Sequence, residues 1–290
     1  MTRSATPHLV ECPRDAMQGL HDFIPTQTKI DYLNQLLQVG FDTLDFGSFV
    51  SPKAIPQMRD TAEVLEGLDL STTQTQLLAI VANERGAQEA AQHAPIRYLG
   101  FPLSLSETFQ QRNTNRSIAE AFQSLEAIQQ LCQQSGKELV TYISMGFGNP
   151  YGDPYSLDEV AAFVERLHQM GVGIVSLSDT IGTATEGEIR ALFGQISGAF
   201  PQLEIGVHLH SRYADVAAKT RAAWEAGCRR IDGALKGLGG CPMAKDELVG
   251  NMATEEIVRS LDALGVPLSL DREALQLSLQ LAASIFPPAH

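Results

Sequence analysis

The 290-residue chain has only four cysteines, Cys12, Cys132, Cys228 and Cys241, and no C-x-x-C pair. So few thiols in so long a chain exclude a disulfide scaffold and point to a reducing compartment. No apolar run approaches the roughly 18 residues of a membrane-spanning helix. Residues 1–7, MTRSATP, lack the apolar stretch of a secretory signal. The expectation is a cytoplasmic protein without a targeting segment or membrane contact. Positive charge is also scarce: 21 Lys and Arg stand against 34 Asp and Glu, a net charge of −13. That balance argues against nucleic acid or an anionic membrane as the main partner, although a local cluster of cations can still receive an anionic small molecule. There is no internal repeat, no low-complexity stretch and no linker.

What is present is alternation. Short apolar runs at 8–12, 43–47, 76–81, 96–101, 139–145, 173–179, 204–210 and 230–235 read as strands. Amphipathic stretches lie between them; TKIDYLNQLLQVG, for instance, places Ile30, Leu33, Leu36 and Leu37 on one stripe. Gly40, Gly136, Gly171 and Gly227 follow helical patterns, as glycines just past a helix end do. Eight strand–helix units predict a TIM (β/α)₈ barrel spanning 1–290 as a single domain. The tail, 271–290, predicts one more helix, lying over the barrel or against a partner subunit. A doubly wound sheet is the alternative, but ECPRDAMQG after the first strand is not its G-x-G-x-x-G turn.

In a barrel, residues at the C-terminal ends of strands converge on one mouth. Here those ends are polar. Arg14 and Asp15 follow strand 1, Asp45 lies on strand 2, Ser176 and Asp179 close strand 6, and His208-Leu209-His210 closes strand 7. Residues i and i+2 of a strand share a face, so both imidazoles point into the mouth and can share one ion with Asp15. The plain alternative is two satisfied core histidines. Two nitrogens with carboxylate and amide oxygens suit Mg²⁺ or Mn²⁺, with Zn²⁺, Co²⁺ and Fe²⁺ ranked below them. Cys241, in GLGGCPMAK, is on a glycine-rich loop where packing has little need of a thiol, and reads as a reacting group. Asp45 and Asp179 read as groups orienting histidine or arginine, or as helix caps. Cys12, Cys132 and Cys228 read as structural thiols.

Taken together, PRDAMQ (13–18), SFVSPKAIPQM (48–58), SLSDTIG (176–182), HLH (208–210), GLGGCP (237–242) and GNMATE (250–255) resemble the 3-hydroxy-3-methylglutaryl-CoA lyase family of the DRE-TIM metallolyase superfamily. The resemblance runs over nearly the whole chain. It implies a TIM barrel, a divalent cation, an acyl-CoA substrate and a homodimer. It further implies Asp15, His208, His210 and Asn251 as metal ligands, Arg14 as the cation facing an enolate, and Cys241 as a loop thiol handling a proton. Asp179 resembles an acidic member of the catalytic set; the candidate base is His208, or a metal-held water relayed by Asp179. Glu255 resembles a polar position near the metal, and Gln18, Ser176 and Asp45 fall on the substrate side. Lys53, with Arg112 and Arg116, is a candidate for the CoA phosphates, against the plain alternative of a solvated loop.

Four departures stand out. Ala16-Met17-Gln18 replaces the family's Gly-Leu-Gln, Asp45 replaces a glutamate, Ser211-Arg212-Tyr213 replaces Asp-Thr-Tyr, and the Cys241–Asn251 loop is one residue longer.

The chemistry implied is retro-Claisen cleavage of a 3-hydroxyacyl-CoA to acetyl-CoA and a 3-keto acid. In it, Gly237, Gly239 and Gly240 let the thiol loop close over substrate. Three rivals share parts of this pattern. A Claisen synthase of the same superfamily would bring a long extra region and no GGCP thiol. A divalent-metal aldolase acting on a 4-hydroxy-2-keto acid would keep the metal and drop CoA. A non-catalytic CoA-ester-binding barrel would keep only the pocket.

Overall fold

The structure, a computed structural model, describes residues 6–240 and 249–286. Eight parallel strands close into a barrel in sequence order: β1 (His8–Glu11), β2 (Thr43–Ser48), β3 (Gln76–Ile80), β4 (Ile96–Ser104), β5 (Glu138–Ser144), β6 (Ile174–Asp179), β7 (Glu204–Leu209) and β8 (Arg230–Gly233). The expected (β/α)₈ barrel is therefore the fold, with every expected strand in place. Its described helices are α1 (Pro13–Gln18), α2 (Thr26–Leu37), α3 (Thr61–Glu66), α4 (Glu84–Ala91), α5 (Glu107–Thr114), α6 (Ile118–Ser135), α7 (Leu157–Gln169), α8 (Glu186–Ala199), α9 (Val216–Glu225), α10 (Thr254–Ala263) and α11 (Arg272–Ile285).

Local chemistry sets the strand-to-helix turns. Ser117 and Thr185 open α6 and α8 with reciprocal capping boxes to Glu120 and Glu188, and Ser106, Ser156, Asn83 and Asp271 cap α5, α7, α4 and α11. Gly40, Gly136, Gly171 and Gly227 all adopt positive φ after helix ends, as expected. The tail helix α11 packs on α2, with Phe286 edge-on to Tyr32 at 5.8 Å, so within the chain it covers the flank of the barrel.

Strand parity decides what reaches the site. On β6, Val175 and Leu177 join the large core between sheet and helices, while Ile174 joins a second apolar cluster inside the barrel with Leu78, Ile80, Val140 and Tyr142. By the same alternation Ile205, Val207, Leu209 and Ile231 face the helices, and His208, His210, Arg230 and Asp232 face the lumen. At the closed end His8 bonds Glu204 at 2.8 Å, and Arg230 lies 3.7 Å from Glu204 and 3.8 Å from Asp42.

Candidate active site at the barrel mouth

β1 ends at Glu11, one residue earlier than the strand read from sequence, because Pro13 starts α1 at its first position. This short helix carries Arg14, Asp15 and Gln18 over the barrel axis. Asp15, His208 and His210 offer ligand atoms that all lie within 4.8 Å of one another. Asn251 is brought beside them by an antiparallel bridge to His210, with Ser211 N–H donating to Gly250 O at 2.9 Å. Its Nδ2 donates to Asp15 Oδ2 at 2.7 Å and Leu238 O at 2.8 Å. Its Oδ1 is buried with no hydrogen-bond partner among the described residues.

The histidine tautomers are set by their neighbours. Nδ1 of His208 faces Asp232 Oδ2 at 3.1 Å, and Nδ1 of His210 faces the Val249 carbonyl at 2.9 Å. Carbonyls and carboxylates only accept, so each Nδ1 carries the proton and each Nε2 keeps its lone pair. Burial, then the charge of His208, lowers the His210 pKa and keeps that ring neutral. Burial would lower His208 as well, but the hydrogen bond and charge of Asp232 outweigh it and raise its pKa. Burial pushes Asp15 upward, yet Arg14 and the two histidines hold it below its ordinary value. Two free imidazole nitrogens, a low-pKa carboxylate and an orphaned amide oxygen make a donor set that fits a divalent cation.

Arg14 is held from three sides. Nε and Nη2 donate to the Asp45 carboxylate at 3.0 and 2.5 Å, and Nη1 to Asp15 at 2.9 Å and Gln18 at 2.8 Å. Burial opposes its charge, but Asp45 and Asp15 more than compensate and raise its pKa. Asp45 in turn is pushed up to about 6 by burial, against the pull of Arg14. A register shift between Asp45 and Gly47 opposite β3 marks a bulge beside this pair.

The cavity at the mouth, about 160 Å³, is lined by Arg14, Asp15, Gln18, His208 and His210 together with the hydroxyls of Tyr142, Ser144, Ser178 and Thr180. Val50, Ile80 and Phe109 supply apolar wall. The hydroxyl residues among these, and Asp232 behind His208, were not singled out from sequence. The signal for Asp232 is its parity in RID: it is the lumen-facing neighbour of His208 in register.

Several expected site residues lie elsewhere. Asp179 has the outward parity of Val175 and Leu177. It accepts from Ala184 N at 2.8 Å and Thr183 N at 3.2 Å, with Lys219 Nζ at 3.4 Å. It makes no side-chain bond to either histidine among the described residues; Lys219 instead links it to the His210 carbonyl at 2.9 Å. Asp179 therefore positions the backbone under His210, which departs from the proton-relay reading. His208 has Nδ1 committed to Asp232, which favours a ligand over a base. Ser176 faces the lumen but lies one layer below the cavity, and Ser178 takes the lining position. Glu255 accepts from Lys236 N at 2.9 Å, bracing the β8–α10 connection away from the cavity. Lys53 lines a separate groove of about 570 Å³ with Arg59 and Arg85, joined to the mouth at Val50. Arg112 stacks on Tyr151 and Arg116 bonds Ser124, so neither joins Lys53. Cys241 lies outside the described residues.

Gly239 has a different task from the one read from sequence. At φ +93° it packs where a Cβ would stand 2.6 Å from Asn251 Nδ2 and 2.9 Å from the Asp15 carbonyl. It lets the backbone wedge against the ligand group, where the sequence suggested only freedom of movement.

A parallel barrel with a two-histidine, carboxylate and amide donor group beside a clamped arginine defines a barrel whose mouth can hold a divalent cation. The HMGL-like family model matches residues 9–281, and the chain belongs to that family. Mitochondrial hydroxymethylglutaryl-CoA lyase of Mus musculus is 33% identical over 263 residues, covering 91% of this chain and 80% of that one. The fold superposes on the Bacillus subtilis HMG-CoA lyase with a TM-score of 0.91 at 30% identity, covering 100% and 98% of the two chains. It matches an HMG-CoA lyase from Acinetobacter baumannii, in complex with coenzyme A and 3-methylmalate, with a TM-score of 0.89 at 32% identity over 98% and 93%.

Proposed function

We propose that this protein is a divalent-cation-dependent carbon–carbon lyase that cleaves 3-hydroxy-3-methylglutaryl-CoA to acetyl-CoA and acetoacetate. The observation that carries the reading is the Asp15–His208–His210 group, with the unpartnered oxygen of Asn251, next to Arg14 in a chain of the HMGL-like family. Named lyase relatives at 33% identity support it over an aldolase or a silent binding barrel. The family match over 9–281 supports one catalytic domain.

In this reading Asp15, His208, His210 and Asn251 hold the cation, and their oxygen content favours Mg²⁺ or Mn²⁺. When bound, the cation lowers the pKa of the substrate hydroxyl and polarises a neighbouring oxygen. The substrate hydroxyl gives its proton to water in the cavity, the C2–C3 bond breaks, its electrons pass into the thioester as an enolate, and the former hydroxyl-bearing carbon becomes a ketone. Arg14 supplies fixed N–H groups to the developing oxyanion, and Asp45 holds the guanidinium in place so that little reorganisation is needed. Val50, Ile80 and Phe109 narrow the water-accessible wall around the reacting bond. Cys241 is the proposed donor of the proton that the enolate carbon takes up. The Lys53–Arg59–Arg85 groove shares Val50 with the mouth, and its three cations outnumber the single acid on its lining, Glu89. In a chain of net charge −13 it is the place proposed for the CoA phosphates.

The test is cleavage of 3-hydroxy-3-methylglutaryl-CoA by metal-stripped protein, with and without Mg²⁺ or Mn²⁺, beside Cys241→Ala. Acetoacetate formed only with metal, and largely lost in the variant, is the expected result. No turnover with metal bound, as measured by calorimetry, would sink the reading.

A further inference from the structure

Beneath the mouth, His208 belongs to a second group. Cys12, His208 and Asp232 offer ligand atoms that also lie within 4.8 Å of one another. Cys12 has the lumen-facing parity of His8 and Val10, and among the described residues its thiol makes only a long 3.9 Å hydrogen bond, to Val10 O. Asp232 is 1% exposed, and its Oδ1 has no partner among the described residues while Oδ2 meets His208. The group is thus a buried thiol, an imidazole nitrogen and an orphaned carboxylate oxygen, one layer below the first.

We propose that Cys12, His208 and Asp232 form a second metal site, selective for thiophilic divalent ions such as Zn²⁺ or Cd²⁺, and that filling it inhibits the enzyme. The donor chemistry sets the selectivity: a thiolate with an imidazole favours soft ions, whereas the oxygen-rich group above suits Mg²⁺ or Mn²⁺. The local field agrees. Burial and the neighbouring carboxylates hold the Cys12 proton on, so the ion must displace it, while Asp232, Asp45 and Asp15 attract a dication. Arg230 faces Asp232 from below and Arg14 pairs with Asp15 and Asp45 from above, so two positive charges stand against the three carboxylates of Asp232, Asp45 and Asp15. Zinc bond lengths place ligand atoms roughly 3.5 Å apart, so filling the site needs only a small inward movement of the group. The ion replaces the thiol proton, which leaves to solvent, and nothing is oxidised or reduced. Inhibition follows from sharing. His208 Nδ1 cannot serve a soft ion and keep its bond to Asp232, and losing that bond turns the ring that also belongs to the upper group.

The experiment adds Cd²⁺ to the Mg²⁺-loaded full-length protein and follows thiolate-to-cadmium charge-transfer absorption, with cleavage measured in parallel. The expected result is a band in the wild type and in Cys241→Ser, and no band in Cys12→Ser. Cys12→Ser should keep its Mg²⁺-dependent turnover and lose sensitivity to Cd²⁺ by roughly tenfold or more. Cys12→Ala, which adds no buried polar atom, should behave the same way and guards against a folding defect of the serine variant. A wild type without the band, a band that survives in Cys12→Ser or vanishes in Cys241→Ser, or equal inhibition of wild type and Cys12→Ser would overturn the proposal. The absorption arm needs no turnover, so its result stands apart from the lyase reading.

Discussion

Asp232 on β8 meets His208 on β7 at 3.1 Å, between register neighbours in the barrel lumen. That bond fixes the proton on Nδ1 and presents the Nε2 lone pair to the mouth. It links a ligand-type histidine to a buried carboxylate that motif reading passed over.

Replacing Asp232 with asparagine keeps the shape and removes the charge. The expected outcome is a roughly 10- to 100-fold weaker affinity for Mg²⁺ or Mn²⁺, with the fold intact. Isothermal titration of the stripped variant, beside its circular dichroism spectrum, checks this. Unchanged affinity would show that the Asp232–His208 bond does not orient a ligand.

Arg14→Lys keeps a positive charge but loses the planar fork that Asp45, Asp15 and Gln18 grip. Turnover is expected to fall roughly 10²–10³-fold with little change in KM, as when a transition-state donor is lost. Steady-state kinetics separates the two constants, and a rise in KM alone would assign Arg14 to ground-state binding.

Glu11 governs a pH dependence of stability. It accepts from Leu235 N at 2.9 Å and Thr254 Oγ1 at 2.5 Å, but burial dominates and raises its pKa to about 8 from 4.5. Between those values the folded state binds more protons than the unfolded one, so stability falls as pH rises through that window. Glu11→Gln removes the titration. Thermal unfolding at pH 5 and pH 8 is therefore expected to show a larger fall in Tm for the wild type than for the variant. Parallel behaviour of the two would contradict this account.

Gly239→Ala forces a Cβ to 2.6 Å from Asn251 Nδ2 in a backbone conformation that alanine resists. Metal affinity is expected to drop at least roughly tenfold, with cleavage reduced in step. Calorimetry and the cleavage assay, run on the same preparation, test whether the wedge matters to the ligand group.

Much of this molecule was legible in the chain. The strand runs, the C-terminal glycines of helices and the i, i+2 spacing of His208 and His210 are local facts. They arise from backbone sterics and from the pleat of a strand, and they placed both imidazoles on one face. Arg14 and Asp15 were read at the end of strand 1 and Gln18 came with the family resemblance; the short helix after Pro13 is what holds the three together.

Parity between strand faces was not legible. Strands of a parallel barrel are buried on both sides, so nothing local tells which face of Val175, Ser176, Leu177, Ser178 and Asp179 meets the lumen, or at what height. Only closure of the barrel decides that Ser178 lines the mouth, Ser176 sinks below it and Asp179 turns outward to Ala184 and Lys219. The same closure sets Asp232 and Cys12 against His208 from opposite ends of the chain and carries Glu255 back to Lys236. The sequence by itself determined the strands, the barrel and which residue types gather at its mouth, because those depend on neighbours a few positions apart. The tertiary structure decided which of them touch, because a contact between residues more than 190 positions apart is set by sheet register.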